Sequence, residues 1–114
     1  MPNPLKVALI QNCAERDMAP SIAALEPLIR TAAKDKVQLI LLPEMAAMLE
    51  PDNAQVLQKA KSEAEDPALK AFRALAQETQ TWILVGSLLF KEPGKSRVVN
   101  RSLLVDPAGA ITAR

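Results

Sequence analysis

Histidine is absent from this chain, and cysteine occurs once, as Cys13. Those shortages exclude a disulfide framework within the chain, a Cys/His zinc site and a Ser-His-Asp or Cys-His catalytic pair. Glycine occurs three times, at Gly86, Gly94 and Gly109, never between a strand and a helix. GxGxxG and Walker A loops need glycine there so that backbone can approach phosphate, which argues against nucleotide binding. Aromatic residues make up only 3% of the chain. The basic cluster Lys91, Lys95, Arg97 and Arg101 therefore has no interleaved rings on which bases could stack, and reads as a solvated loop. The net charge is +1, so nothing draws the chain electrostatically toward nucleic acid. No apolar run approaches the ~20 residues of a membrane helix. The start, MPNPLKVALIQN, holds too short an apolar run for a signal peptide. The expectation is a cytoplasmic protein with no membrane or nucleic-acid partner, no metal and no cofactor.

What is present is ordinary globular material. The chain has 114 residues, 49% hydrophobic and 24% charged, which suits one domain. Its organising stretch is Val37 to Leu42, apolar apart from Gln38 and not alternating. That pattern fits a strand buried on both faces, as in a parallel sheet covered by helices. Pro43 ends it, because proline has no N–H for the ladder. Lys6 to Asn12 reads as an earlier strand. Asp17 can cap the helix after it, Pro20 suits its first turn, and apolar residues from Ile22 to Ala33 recur at helical spacing. This helix covers Ser21 to Lys36, with Pro27 predicting a kink or a restart near Glu26. A short, weaker helix follows over Ala54 to Glu65. Asp66 and Pro67 open the next, which ends near Thr79. Trp82 to Phe90, Val98 to Asp106 and Ala110 to Arg114 read as three further strands joined by short turns. Gly86 inside the first of them signals a close backbone approach or a bulge. The order is β-α-β-(α)-α-β-β-β, with right-handed crossovers and a largely parallel sheet in the first half.

Glu44 follows Pro43 at the carboxyl end of the organising strand, the end at which open α/β sheets bind ligands. By position alone it is a functional carboxylate or simply the first polar residue after a strand. The sequence of elements then resembles a known family. VALIQN, an amphipathic helix, VQLILLPE, WILVGSLL and VVNRSLLVDPAGAITAR are together similar to the amino-terminal part of the nitrilase family of carbon–nitrogen hydrolases, from about Leu5 to Arg114. The resemblance implies an α-β-β-α sandwich, usually dimerised, and a Glu-Lys-Cys triad that cleaves amides or nitriles. Glu44 matches the glutamate. Such a triad makes chemical sense. A thiol is mostly neutral at pH 7 and needs a base. A free glutamate is a poor one, and enclosure by apolar groups such as Met45 and Met48 would improve it.

The lysine and the nucleophilic cysteine of the family match no residue here; both fall beyond the segment matching Ile111 to Arg114. Cys13 stands after the first strand and reads as a small packed hydrophobe, although it could approach Glu44 if the first two strands pair. The expectation is a partial nitrilase-like domain over residues 5–114, inactive alone. Two functions stay open at this point. One is the amino-terminal part of a carbon–nitrogen hydrolase acting on small non-peptide amides or nitriles. The other is a non-catalytic remnant or assembly partner with half of the fold. A reading frame continuing past Arg114 to a lysine and a cysteine would separate them. The apolar strands also exceed what two helices can cover, which predicts a homo-oligomer or a complementing polypeptide.

Overall fold

A computed structural model describes residues 2–114. Its centre is one five-stranded sheet in the order β1-β2-β3-β4-β5. The strands are β1 (Val7–Leu9), β2 (Leu39–Leu41), β3 (Trp82–Lys91), β4 (Val98–Val105) and β5 (Ile111–Ala113). The helices are α1 (Met18–Lys34), α2 (Asn53–Lys59) and α3 (Pro67–Thr79), with a single 3₁₀ turn at Glu63–Glu65. β1, β2 and β3 run parallel, with Val7 opposite Leu39 and Leu39 opposite Trp82. β3, β4 and β5 form an antiparallel meander. The mixed sheet matches the order of elements expected from the sequence, including the change from helical crossovers to tight turns.

Several boundaries differ from that expectation. β1 and β2 are shorter than Lys6–Asn12 and Val37–Leu42, because the flanking residues bond singly rather than as a ladder. Ile10 N–H donates to Leu41 O at 3.0 Å, and Leu42 N–H donates to Leu84 O at 2.9 Å. α1 is one uninterrupted helix with Pro27 inside it, not two. Leu25 and Ile29, on either side of the proline, are both fully buried, and that packing outweighs the missing backbone bond. Asp17 precedes α1 without a side-chain cap bond; its carboxylate pairs with Lys59 Nζ at 2.9 Å instead. Ser21 Oγ serves the helix start, accepting from Glu15 N–H at 2.8 Å. The Ala54–Glu65 helix is broken. α2 stops at Lys59, Ala60 is extended, and Lys61 bridges Phe90 at the end of β3. Asp66 and Pro67 do open α3, with Asp66 Oδ1 accepting from Leu69 N–H at 2.8 Å.

α1 and α3 pack on each other and lie on one face of the sheet, tied at the surface by Arg30 and Glu78. Leu25 and Ile29 of α1 meet Leu69, Phe72 and Leu75 of α3 over Ile40, Ile83, Val85, Leu103 and Val105. Each such side chain is worth about 1.5–3 kcal/mol over its exposed form. The opposite face is apolar too, yet no helix among the described residues covers it. Leu39, Leu41, Leu84 and Leu104 are half-buried there, and Val7, Leu9 and Trp82 are 43%, 76% and 38% exposed. The structure is thus one α layer on one β layer. Among the described residues, no helix is long and apolar enough to cross a membrane.

Candidate active site

The chain passes from β2 into a sharp turn at Pro43 and Glu44, and three features of the neighbouring strands hold that turn. Gly86 is the first. A Cβ there would lie 2.5 Å from the carbonyl carbon and oxygen of Pro43 and would press on the Leu42 carbonyl. Only glycine lets the two backbones come so close. Ser87 is the second. It is 4% exposed, and its Oγ accepts the Met45 N–H at 2.9 Å. That bond sits on a strained residue, since Met45 has φ +51°. Gly86 and Ser87 lie where the β3–β4 register shifts, between Val85 and Leu88. The bulge and the close approach expected of Gly86 therefore occur together.

The third feature acts on the carboxylate itself. Asn100 Nδ2 donates to Glu44 Oε1 at 3.1 Å. Asn100 is in β4, opposite Leu89. Residues of β4 alternate between faces, so Asn100 shares the helix-free face with Ser102 and Leu104, while Leu103 and Val105 point into the core. Glu44 is thus reached from the uncovered face. It is also exposed. The enclosure expected from Met45 and Met48 is not what these residues form: Met48 is 4% exposed and turned into the body of the protein, and Met45 is half-buried. Residues near the amino end of α1 stabilise the loop beyond Glu44. Asn12 Nδ2 donates to Ala46 O at 3.0 Å, and Leu49 N–H donates to Glu15 O at 2.9 Å.

Further along that loop lies a charged network not legible in the sequence. Glu50, with its side chain 3% exposed, takes Lys59 Nζ at 2.6 Å and Asp52 N–H at 3.1 Å. Lys59 also reaches Asp17 Oδ1 and Arg16 O. The Lys59 ammonium, with help from Asp52 N–H, holds the Glu50 carboxyl below the usual carboxylate range despite its burial. Glu50 and then Asp17 hold Lys59 above the usual lysine range. The network pins the end of the Glu44 loop to α1 and α2. No residue pattern announced it, because its members are separated in the chain and each reads as a surface charge.

The other residues weighed from sequence lie apart from this site. Cys13 is exposed and takes no part in the bonds that hold Glu44, although β1 and β2 do pair. The basic cluster is not a free loop. Lys95 and Arg97 pair with Glu92, Lys91 ends β3, and Arg101 lies in β4 over the Phe90 ring, paired with Glu63. Among the described residues, no three His, Cys, Asp or Glu side chains converge as metal ligands would. A cavity of about 570 Å³ lies between α3 and β5, lined by Asp66, Lys70, Arg73, Gly109 and Arg114 among others, and Glu44 is not part of it.

The family model for carbon–nitrogen hydrolases matches residues 6–114. A citrullinase of Francisella tularensis is 29% identical over 110 residues, which are 94% of this chain and 37% of that protein. The solved structure of the Caenorhabditis elegans NitFhit protein superposes with a TM-score of 0.85 at 23% identity, over 94% of this chain and 26% of that one. An amidase from Nesterenkonia sp. AN1 superposes with a TM-score of 0.79 at 21% identity, over 96% of this chain and 42% of that one. A glutamate-to-glutamine variant of that amidase carries acrylamide added at its active-site cysteine. The chain thus spans less than half the length of each of these proteins, and the structures establish the nitrilase-type fold of the part they share.

Proposed function

The chain belongs to the carbon–nitrogen hydrolase family, and from that premise we propose that it is the amino-terminal part of a hydrolase cleaving small non-peptide amides or nitriles, with Glu44 as the general base. The observation that carries this reading is the construction around Glu44. A glycine, a serine and an asparagine from two other strands hold one turn and its carboxylate on the sheet face that no helix covers. A polar residue that merely follows a strand needs none of these.

In this reading residues 5–114 are part of a larger domain, and the lysine and cysteine come from a segment outside these 114 residues. Glu44 takes the proton of the cysteine thiol, and the thiolate attacks the carbonyl carbon of an amide. The lysine ammonium stabilises the negative charge that develops on oxygen. Glu44 returns the proton to the leaving nitrogen, and ammonia or an amine departs. Water, deprotonated by Glu44, then hydrolyses the thioester. The active-site cysteine of the Nesterenkonia amidase supports the nucleophile. The exposure of Glu44 is consistent with a pocket whose second wall comes from the same outside segment, which would also supply the missing enclosure.

The test has two arms. Residues 1–114 alone, assayed against a panel of small amides and nitriles, should show no turnover. Joined to the segment that carries the lysine and cysteine, the protein should turn over at least one of them. Glu44→Gln should then lower the rate by roughly 10²–10⁴-fold with the fold intact. Turnover by residues 1–114 that is lost on Glu44→Gln, or full activity of Glu44→Gln in the joined protein, would overturn the reading. A joined protein that is folded and inert toward every amide and nitrile would favour a non-catalytic assembly partner.

A further inference from the structure

Among the described residues, Asn100 is the one side chain that holds the Glu44 carboxylate directly, and its placement is more specific than a surface contact requires. Its backbone sits within β4, opposite Leu89, just beyond the β3 bulge. The extra residue at that bulge changes the facing of β3 between Val85 and Leu88, so that Leu89 lies on the helix-free face opposite Asn100, which the alternation of β4 places there. The same bulge presents the Val85 carbonyl, which accepts from Ser102 Oγ at 3.1 Å. The segment Asn100 to Ser102 is therefore anchored on the strand that holds the turn. From that anchor the carboxamide reaches Glu44 Oε1 at 3.1 Å. Among the described residues, Glu44 Oε2 takes no hydrogen bond.

We propose that Asn100 is a positioning residue for the Glu44 base, fixing the carboxylate through Oε1 so that Oε2 faces the reacting proton. This inference rests on the reading of Glu44 given above. The residue type suits the task. An amide N–H stabilises the ionised carboxylate, which is the form able to accept a proton. Being uncharged, it does not neutralise the base as an ammonium or guanidinium would, and it does not compete for the proton. A carboxylate on a free surface samples several rotamers. One donor on a rigid strand removes most of that freedom, and misplacement of a reacting group by about 1 Å can cost roughly 10²-fold in rate.

The experiment compares Asn100→Leu, Asn100→Asp and Glu44→Gln. In the 114-residue chain, the Asn100 side-chain amide resonances are followed by NMR across the carboxylate pH range. They should shift in one titration that disappears in Glu44→Gln. In the joined hydrolase, Asn100→Leu should lower kcat by roughly tenfold to a hundredfold with little change in KM. Asn100→Asp, which keeps the side chain's size and loses the donor, should lower kcat to a similar degree. A purely structural role would lower the active fraction and leave kcat per active site unchanged. If Glu44→Gln abolishes turnover while Asn100→Leu keeps the parent kcat, this inference fails and the functional reading stands. If Glu44→Gln keeps full activity, both fail. An Asn100 amide that ignores pH in the isolated chain also overturns the inference.

Discussion

Gly86→Ala is the most informative single change, because its sign is a contest between two known effects. Alanine in place of glycine restricts the unfolded chain and usually stabilises by about 0.4–1 kcal/mol where the folded backbone accepts it. At Gly86 the new Cβ would sit 2.5 Å from both the carbon and the oxygen of the Pro43 carbonyl. Those are backbone atoms, so no rotamer change relieves the clash. Overpacking of this kind costs about 1–3 kcal/mol. The clash wins, leaving a net destabilisation of about 1–2 kcal/mol. At ~2.1 cal/mol/K per residue, a chain of 114 residues loses about 4 °C in Tm per kcal/mol, which predicts a drop of about 4–8 °C. Thermal melts by circular dichroism at one fixed protein concentration measure it, since association would otherwise shift Tm. Gly94→Ala is the control. Its Cβ meets nothing within 4 Å, and only the φ of +73° opposes it. Gly94→Ala should lower Tm less and leave the Met45 amide protected from hydrogen exchange. Gly86→Ala should expose that amide, because moving Pro43 pulls Met45 N–H away from Ser87 Oγ. A Gly86→Ala protein that melts at or above the parent would refute the close approach, and with it the account of how the Glu44 turn is held.

Other outcomes follow from the same physics. With Leu9 76% exposed on a largely apolar, helix-free face, the isolated chain should self-associate or bind a hydrophobic dye, as light scattering after size exclusion will show; a dye-silent monomer with a cooperative melt contradicts this. Lys59→Met should destabilise the fold by stranding the buried Glu50 carboxylate, and the loss should be largest near neutral pH. Glu50 is held below its ordinary range, so its contribution is present above that range and fades as pH falls; equal destabilisation of Lys59→Met at pH 7 and pH 3 would argue against the pairing. Asp66 is the opposite case, pushed up chiefly by burial, against the N–H groups of Leu69 and Ala68. Its ionisation favours the unfolded chain as pH rises through the ordinary aspartate range. Asp66→Asn, which keeps a capping oxygen, should therefore compare better with the parent at pH 7 than at pH 3 in urea titrations. The reverse order would refute the burial argument.

The order of elements was legible because its signals are local. Unbroken apolar runs mark β2 and β3, and the Asp66-Pro67 pair opens α3. The Pro-Ala-Gly turn separates β4 from β5. What misled was also local. Pro27 argued for a kink or a restart near Glu26, and the restart does not occur: Leu25 and Ile29 are buried against α3 and the sheet, and tertiary packing carries the helix across the proline. Asp17 was taken for a cap because no local signal shows that Lys59 will arrive from α2. The weaker helix split at Ala60 because Lys61 is drawn into a bridge with Phe90, a partner distant in sequence.

The candidate site divides along the same line. Legible along the chain were a glutamate directly after an apolar strand, at its carboxyl end, and a glycine inside a later apolar strand. Both are consequences of composition along one stretch of chain. Three-dimensional packing put Gly86 against the Pro43 carbonyl, Ser87 on Met45 and Asn100 on Glu44. It also decided that the carboxylate stands exposed on the helix-free face instead of enclosed by Met45 and Met48. Those outcomes depend on strand register and on one bulge that changes which side chains share a face. Register is a property of paired strands, so no single strand's sequence states it.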